Sequence, residues 1–299
     1  MKLQFPIFLL ALLGGAKSFR KLTSEENQYL QSVCGLKPFY SVAKPSGIPS
    51  NNYRRSLYGG NSISGDKAPW AVQIVVDDDG KCSGTLISSR HVLTAAHCVL
   101  KDNFEKSSWI PYSQKECDGN NLILTQNNDL WKVYGSDGRL LSSKVLKMVL
   151  FNYCTEAHWR YDDIMIWELE EDAVLDDFVH PACVLANWQY ATTRNLYLTG
   201  FGHNSWYYKN DDGKGTYELR DGFMTYTSYQ NDRRTLMLSG EEQKVAPRPR
   251  DSGSGAFITY NSRFYVLGVC SGGENLWAMY TSVVYHYDQI CHYTGVCWL

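Results

Sequence analysis

The chain has 299 residues, of which 44% are apolar and 20% charged, and a formal net charge of -2. That length and composition suit one large all-β domain or two small ones with a sizeable core. The near-neutral charge argues against nucleic acid as the main partner.

Met1 to Ala16 follows the order of a secretory signal: basic Lys2, an apolar run from Phe5 to Leu13, then Gly14-Gly15-Ala16. The apolar run is too short to span a bilayer, so export is expected rather than anchoring, with no membrane partner. Lys17 to Arg55 is polar and lacks a sustained strand pattern, and Lys44 to Asn52 has a linker's composition. Arg54-Arg55 then marks a dibasic cleavage site, the alternative being a plain exposed basic pair. We therefore expect a signal peptide over 1–16, a pro-segment over 17–56 and the main domain over 57–299.

Short β-like runs recur beyond Leu57: Trp70 to Val76, Gly84 to Ser88, Arg90 to Ala95, Asp129 to Tyr134, Ser143 to Phe151 and Asp163 to Leu169. Leu196 to Phe201, Met224 to Tyr229, Ala256 to Tyr260, Phe264 to Cys270 and Met279 to Val284 continue the series. The 21 tyrosines and 9 tryptophans suit such half-buried strands. Asp79-Gly80, Asp137-Gly138 and Asp212-Gly213 are turn signals. The pattern predicts a β-sandwich or a β-barrel protein, closed by a terminal helix within Val283 to His292. Nine cysteines in an exported chain imply disulfides with one thiol left over, in a connectivity that sequence alone leaves open. No Cys-x-x-Cys pair is present, which makes a cysteine metal site a weak reading, and no cofactor is expected.

Three motifs carry chemistry: Leu93-Thr94-Ala95-Ala96-His97-Cys98, Asp163-Ile164-Met165-Ile166 and Asp251-Ser252-Gly253. A serine hydroxyl is a weak nucleophile and needs a neighbouring base. Histidine titrates near neutrality and fills that role, and a carboxylate fixes its tautomer. In residue type and order, His then Asp then Ser, the set resembles the chymotrypsin/trypsin-like serine proteases, over roughly Leu57 to Ile290. The resemblance implies two six-stranded antiparallel β-barrels, about 57–170 and 185–290, with the site in the cleft between them. The insert Asp102 to Asn128 lengthens the first barrel. The implied activity is that of a secreted serine endopeptidase made as a zymogen. Its partners would be a peptide or protein substrate, an activating protease and a protein inhibitor, and it would act as a monomer.

On this resemblance His97, Asp163 and Ser252 form the catalytic triad, with Asp162 a solvated neighbour. The backbone N–H groups of Arg250 and Ser252 form the oxyanion hole, although glycine is usual at position 250. The specificity pocket draws on Ala246, Ser271, Gly273 and Ala278. Ala246 at its base offers no anion for a Lys or Arg side chain. Gly272 stands where a tryptophan is usual. The disulfide that normally braces the pocket is missing at both ends, with Arg248 at one cysteine position and no cysteine between Gly273 and Ala278. Implied pairs are Cys82–Cys98, Cys34–Cys183, Cys117–Cys154 and Cys291–Cys297, which leaves Cys270 free.

Activation would free Leu57 to pair with Asp251, whereas cleavage after Arg55 frees Ser56, one residue too long. A shifted register, trimming, or a protein that stays zymogen-like remain open. The rival reading is a secreted protease-fold binding protein with little turnover, and the intact triad favours the enzyme.

Overall fold

The computed structural model describes residues 19–36, 57–76, 79–99, 114–126, 130–155, 162–187, 194–202 and 218–298. The signal segment, the linker with Arg54 and Arg55, and Asp212-Gly213 lie outside them. Helix α1 (Ser24–Val33) comes first, and a short β1 (Asn61–Ser62) follows. Then come β2 (Ala71–Val76), β3 (Asp79–Leu86), β4 (His91–Thr94), β5 (Gln114–Asp118) and β6 (Asn121–Thr125). β7 (Trp131–Tyr134), β8 (Leu140–Ser142), β9 (Val145–Leu150) and β10 (Met165–Leu169) complete the first half. The second half holds β11 (Cys183–Val184), β12 (Asn195–Gly200), β13 (Arg220–Gln230), β14 (Thr235–Ser239), β15 (Gly255–Tyr260), β16 (Arg263–Glu274) and β17 (Trp277–Ser282). Helix α2 (Tyr287–Thr294) falls near the expected place, a few residues later than read from sequence.

β12 to β17 close a six-stranded ring, β13-β12-β15-β16-β17-β14, because β14 pairs back onto β13. The first half is a nine-stranded sheet, ordered β5-β6-β9-β10-β4-β3-β2-β7-β8. Its β5–β6 hairpin belongs to the insert and adds to β9. The fold is thus the two-unit antiparallel β architecture of trypsin-like proteins. β1 pairs with β13, so residues 61 and 62 join the second sheet, not the first.

Strand alternation explains how the halves pack. In β10, Met165, Trp167 and Leu169 enter the first-sheet core, while Ile166 enters the larger core shared with the second ring. In β2, Val72, Ile74 and Val76 face the first core and Ala71 the shared one. A period of two places successive side chains on opposite faces, so each strand seals both cores.

The segment 19–36 has no element in the sequence reading above, yet it holds α1. Thr23 Oγ1 accepts from Glu26 N at 3.2 Å, and Glu26 Oε2 accepts from Thr23 N at 2.8 Å, a reciprocal cap. Phe19, Leu30 and Cys34 enter the shared core. Arg20 Nε meets Glu168 at 2.9 Å, and Arg90 bridges Glu26 and Asp172 at 2.5 and 2.7 Å. This part of the expected pro-segment is a packed element of the domain. Disulfides join Cys34–Cys183, Cys82–Cys98, Cys117–Cys154 and Cys291–Cys297. Such bonds belong to an oxidising compartment. Cys270 is free and buried. Burial first, then the nearby Asp251 carboxylate, pushes its thiol well up, so it is inert at neutral pH.

Candidate active site

Antiparallel pairing of β4 with β10 sets Thr94 opposite Met165. His97 lies three residues past Thr94 in a 3₁₀ turn (Ala96–Cys98), and Asp163 lies two residues before Met165. The two side chains therefore meet at one end of the strand pair. His97 Nδ1 lies 2.7 Å from Asp163 Oδ2, and His97 N donates to Asp163 Oδ1 at 2.8 Å. Both carboxylate oxygens are engaged by one residue. A carboxylate only accepts, so Nδ1 carries the proton and Nε2 is left as the basic nitrogen.

Ser252 comes from the second ring, in the loop before β15. Ser83 N donates to Ser252 O and Ser83 Oγ to Arg250 O, both at 2.8 Å. Gly253 has φ +84°, and a Cβ there would collide with Thr94 Oγ1 and crowd Ala95 N. Only glycine allows this loop to lie against the end of β4 that leads to His97. The Cys82–Cys98 disulfide staples the same turn from the other side. Donor atoms of Cys82, His97 and Cys98 cluster within 4.8 Å, but the two sulfurs are bonded to each other and supply no thiolate for a metal.

Arg250 takes φ +79°. This left-handed geometry costs a residue with a Cβ about 1–2 kcal/mol. The loop is held by Asp251 N donating to Arg248 O at 2.8 Å and Ser254 N donating to Asp251 O at 2.9 Å. Asp251 is fully buried. Its Oδ1 accepts from Gly202 N at 2.8 Å and its Oδ2 from Arg248 N at 2.9 Å. Burial pushes this carboxyl up to about 7, and the two amides and the Arg248 charge offset only part of that. Leu57 is also fully buried, in the shared core near Gly222 and Val245. Ala246 N donates to Tyr58 O at 3.1 Å, which ties this segment to the residues before the Ser252 loop. Arg55 lies outside the described residues.

Ala246 and Ala278 are buried, and Gly273 pairs with Ala278 across β16–β17. Ser271 Oγ and Thr281 Oγ1 share a hydrogen bond of 2.8 Å. A Cβ on Gly272 would meet open space. Arg248 Nη1 and Nη2 both donate to Asn275 O at 3.2 Å, and its guanidinium lies 5.0 Å from the Tyr58 ring centre. Gly240 N donates to Leu276 O at 2.7 Å. The tight turn between β16 and β17 is thus pinned by polar contacts where no disulfide exists.

Asp162 corrects the sequence reading. It is fully buried, not solvated, and pairs with Arg234 at 2.9 Å. No local signal marks this burial, and none marks Ser83, which orients the loop carrying Arg250 and Ser252.

The family model of nematode trypsin-6-like proteins matches residues 4–297. The chain belongs to the nematode trypsin-6-like family. Among relatives of this trypsin-6-like chain is a CLIP domain-containing serine protease B8 of Anopheles gambiae. The two are 25% identical over 289 residues, covering 85% of this chain and 69% of the relative. Membership in the trypsin-6-like family makes this a divergent protein of the trypsin-like serine protease fold.

Proposed function

We propose that this protein is a secreted serine endopeptidase, made as a zymogen. The observation that carries the reading is the pair of hydrogen bonds from His97 to Asp163, with the Ser252 loop laid against the same strand end. In the proposed reaction Ser252 Oγ attacks the peptide carbonyl carbon while His97 Nε2 takes its proton. Asp163 holds the tautomer and stabilises the imidazolium. The resulting oxyanion accepts from the N–H groups of Arg250 and Ser252, each such donor contributing about 2.7–4 kcal/mol in the transition state. Collapse breaks the C–N bond, and the amine leaves with the proton from His97. Water then attacks the acyl-enzyme by the same route and restores Ser252.

With Ala246 at its base and Ala278 on its wall, the pocket takes an uncharged side chain rather than Lys or Arg. A freed ammonium at Leu57 would supply Asp251 with the cation that its amide donors do not. An activating protease and a protein inhibitor are the further partners, and the protein acts as a monomer without cofactor.

Labelling with a serine-directed fluorophosphonate tests this, before and after cleavage in the linker, with Ser252→Ala as control. Label that appears on cleavage and is lost in the variant supports the enzyme. A cleaved, folded protein that takes no label supports the binding-protein reading, which the left-handed Arg250 favours.

A further inference from the structure

We propose that Asp162, Arg234 and His286 form a clasp between the two β units, with the Asp162–Arg234 ion pair at its centre, and that the clasp positions Asp163 for its bonds to His97. The inference rests on the protease reading for its catalytic consequence, but its geometry stands apart from turnover. Asp162 lies three residues before β10 of the first sheet. Arg234 precedes β14 of the second ring, and His286 caps the start of α2. Three separate parts of the molecule therefore converge on one carboxylate.

Asp162 Oδ2 accepts from Arg234 Nη1 at 2.9 Å and from Asn152 Nδ2 at 2.8 Å. His286 Nε2 lies 3.1 Å from Asp162 Oδ1, off the line of a good hydrogen bond. Asp162 and His286 are fully buried. Burial alone would raise the Asp162 carboxyl, but His286, Asn152 and Arg234 together hold it below its ordinary range. A second layer fixes the ring: His286 Nδ1 lies 2.7 Å from Gln289 Oε1, and Gln289 Nε2 donates to Asn121 Oδ1 at 2.9 Å. Phe151 stacks on the His286 ring at 5.4 Å.

The link to Asp163 is one of chain geometry. Ile164 N donates to Asp162 O at 2.8 Å, a three-residue turn with Asp163 at its centre. The direction of the Asp163 side chain then follows from how its two neighbours are held. Asp163 must present both oxygens to one residue, Nδ1 and N of His97, and a small rotation breaks one of those bonds. Ile164 on the far side is fixed by the shared core, and Asp162 on the near side by the clasp. His97 and Asp163 belong to one β unit and Ser252 to the other. Apolar packing between the units is non-directional. Beside the Ser83 bonds to Ser252 and Arg250, a charged contact with fixed partners adds a second directional tie between the units, next in sequence to Asp163. Arg234 and His286 are thus positioning residues.

The test uses the cleaved full chain and its variants Arg234→Gln, Arg234→Lys and His286→Gln, each assayed below its own melting transition. The first readout is the low-field proton resonance of His97 Nδ1–H and the pH at which it titrates, followed by NMR. Arg234→Gln is expected to move or broaden that resonance and shift its titration, and Arg234→Lys to restore part of it. The second is fluorophosphonate labelling and peptide turnover. Loss of about 10–100-fold in labelling rate and kcat is expected, with KM changed less than about twofold, since misplacement of about 1 Å costs on that order. An unchanged resonance and titration in folded Arg234→Gln and His286→Gln overturn the clasp. If the resonance moves while even the wild type takes no label, the clasp stands and the protease reading falls. If Arg234→Gln does not fold, Arg234→Lys and His286→Gln carry the same comparison.

Discussion

At the scale of single residues, the candidate site depends on directional bonds that a one-atom change can break. Asp163→Asn keeps the shape but replaces an acceptor with a donor facing His97 Nδ1. The imidazole then takes the other tautomer, and Nε2 loses its basicity toward Ser252. We expect turnover to fall about 10⁴-fold with the fold retained, read from kcat beside a melting curve. An equal loss of folded protein would place Asp163 in stability instead. Arg250 presents the opposite case. Its left-handed φ costs about 1–2 kcal/mol, and glycine there regains this against an unfolded-chain penalty of about 0.4–1 kcal/mol. Arg250→Gly is expected to be slightly more stable in urea unfolding and to label faster at Ser252. Slower labelling would mean that the arginine side chain itself contributes to the site.

Elements show which parts of the molecule were legible beforehand. The strands were, because β-branched and aromatic runs with a period of two report a pleated, half-buried surface wherever they occur. The candidates His97, Asp163 and Ser252 stand out in sequence because each sits in a short motif whose chemistry is local. Helix α1 escaped notice since its sequence is polar, with few apolar positions to show a helical period. Its one visible mark was Thr23 three residues before Glu26, the spacing of a reciprocal cap. Thr23→Ala is expected to cost about 1 kcal/mol of stability, measured by urea unfolding, if α1 is integral to the fold. No change would mean that the helix is dispensable. Asp162 was misread for a different reason: its partner Arg234 lies 72 residues away. Burial of a charge is decided by the partner that folding brings to it, which local sequence does not display. Arg248 belongs with Asp162, since its contact to Asn275 O joins residues that lie 27 apart in sequence.

For the molecule as a whole, two buried groups oppose each other in pH. Burial, then the Arg90 and Arg20 charges, push His91 down to about 3 in the folded state, against about 6.5 unfolded. Burial pushes Asp251 up to about 7, against about 3.9 unfolded. Between about pH 4 and 6.5 the unfolded chain binds the extra proton at His91, so that group makes stability rise with pH. In the same window the folded chain binds the extra proton at Asp251, so that group makes stability fall as pH rises. Each slope approaches about 1.4 kcal/mol per pH unit, and together they nearly cancel. Asp251→Asn removes one slope and exposes the other. The variant is expected to gain about 2–3 kcal/mol of stability between pH 4.5 and 6.5, whereas the uncleaved parent stays nearly flat, as urea unfolding at the two pH values would show. His91→Gln is expected to slope the other way. Slopes of the same sign in both variants would refute the opposition. Cleavage adds a consequence that links stability to activation. An ammonium seated against Asp251 keeps it ionised in the folded state and removes its downward slope, so the cleaved protein should take on the rising profile of Asp251→Asn. A cleaved protein that keeps the flat profile of the parent would mean that its new N-terminus never reaches Asp251.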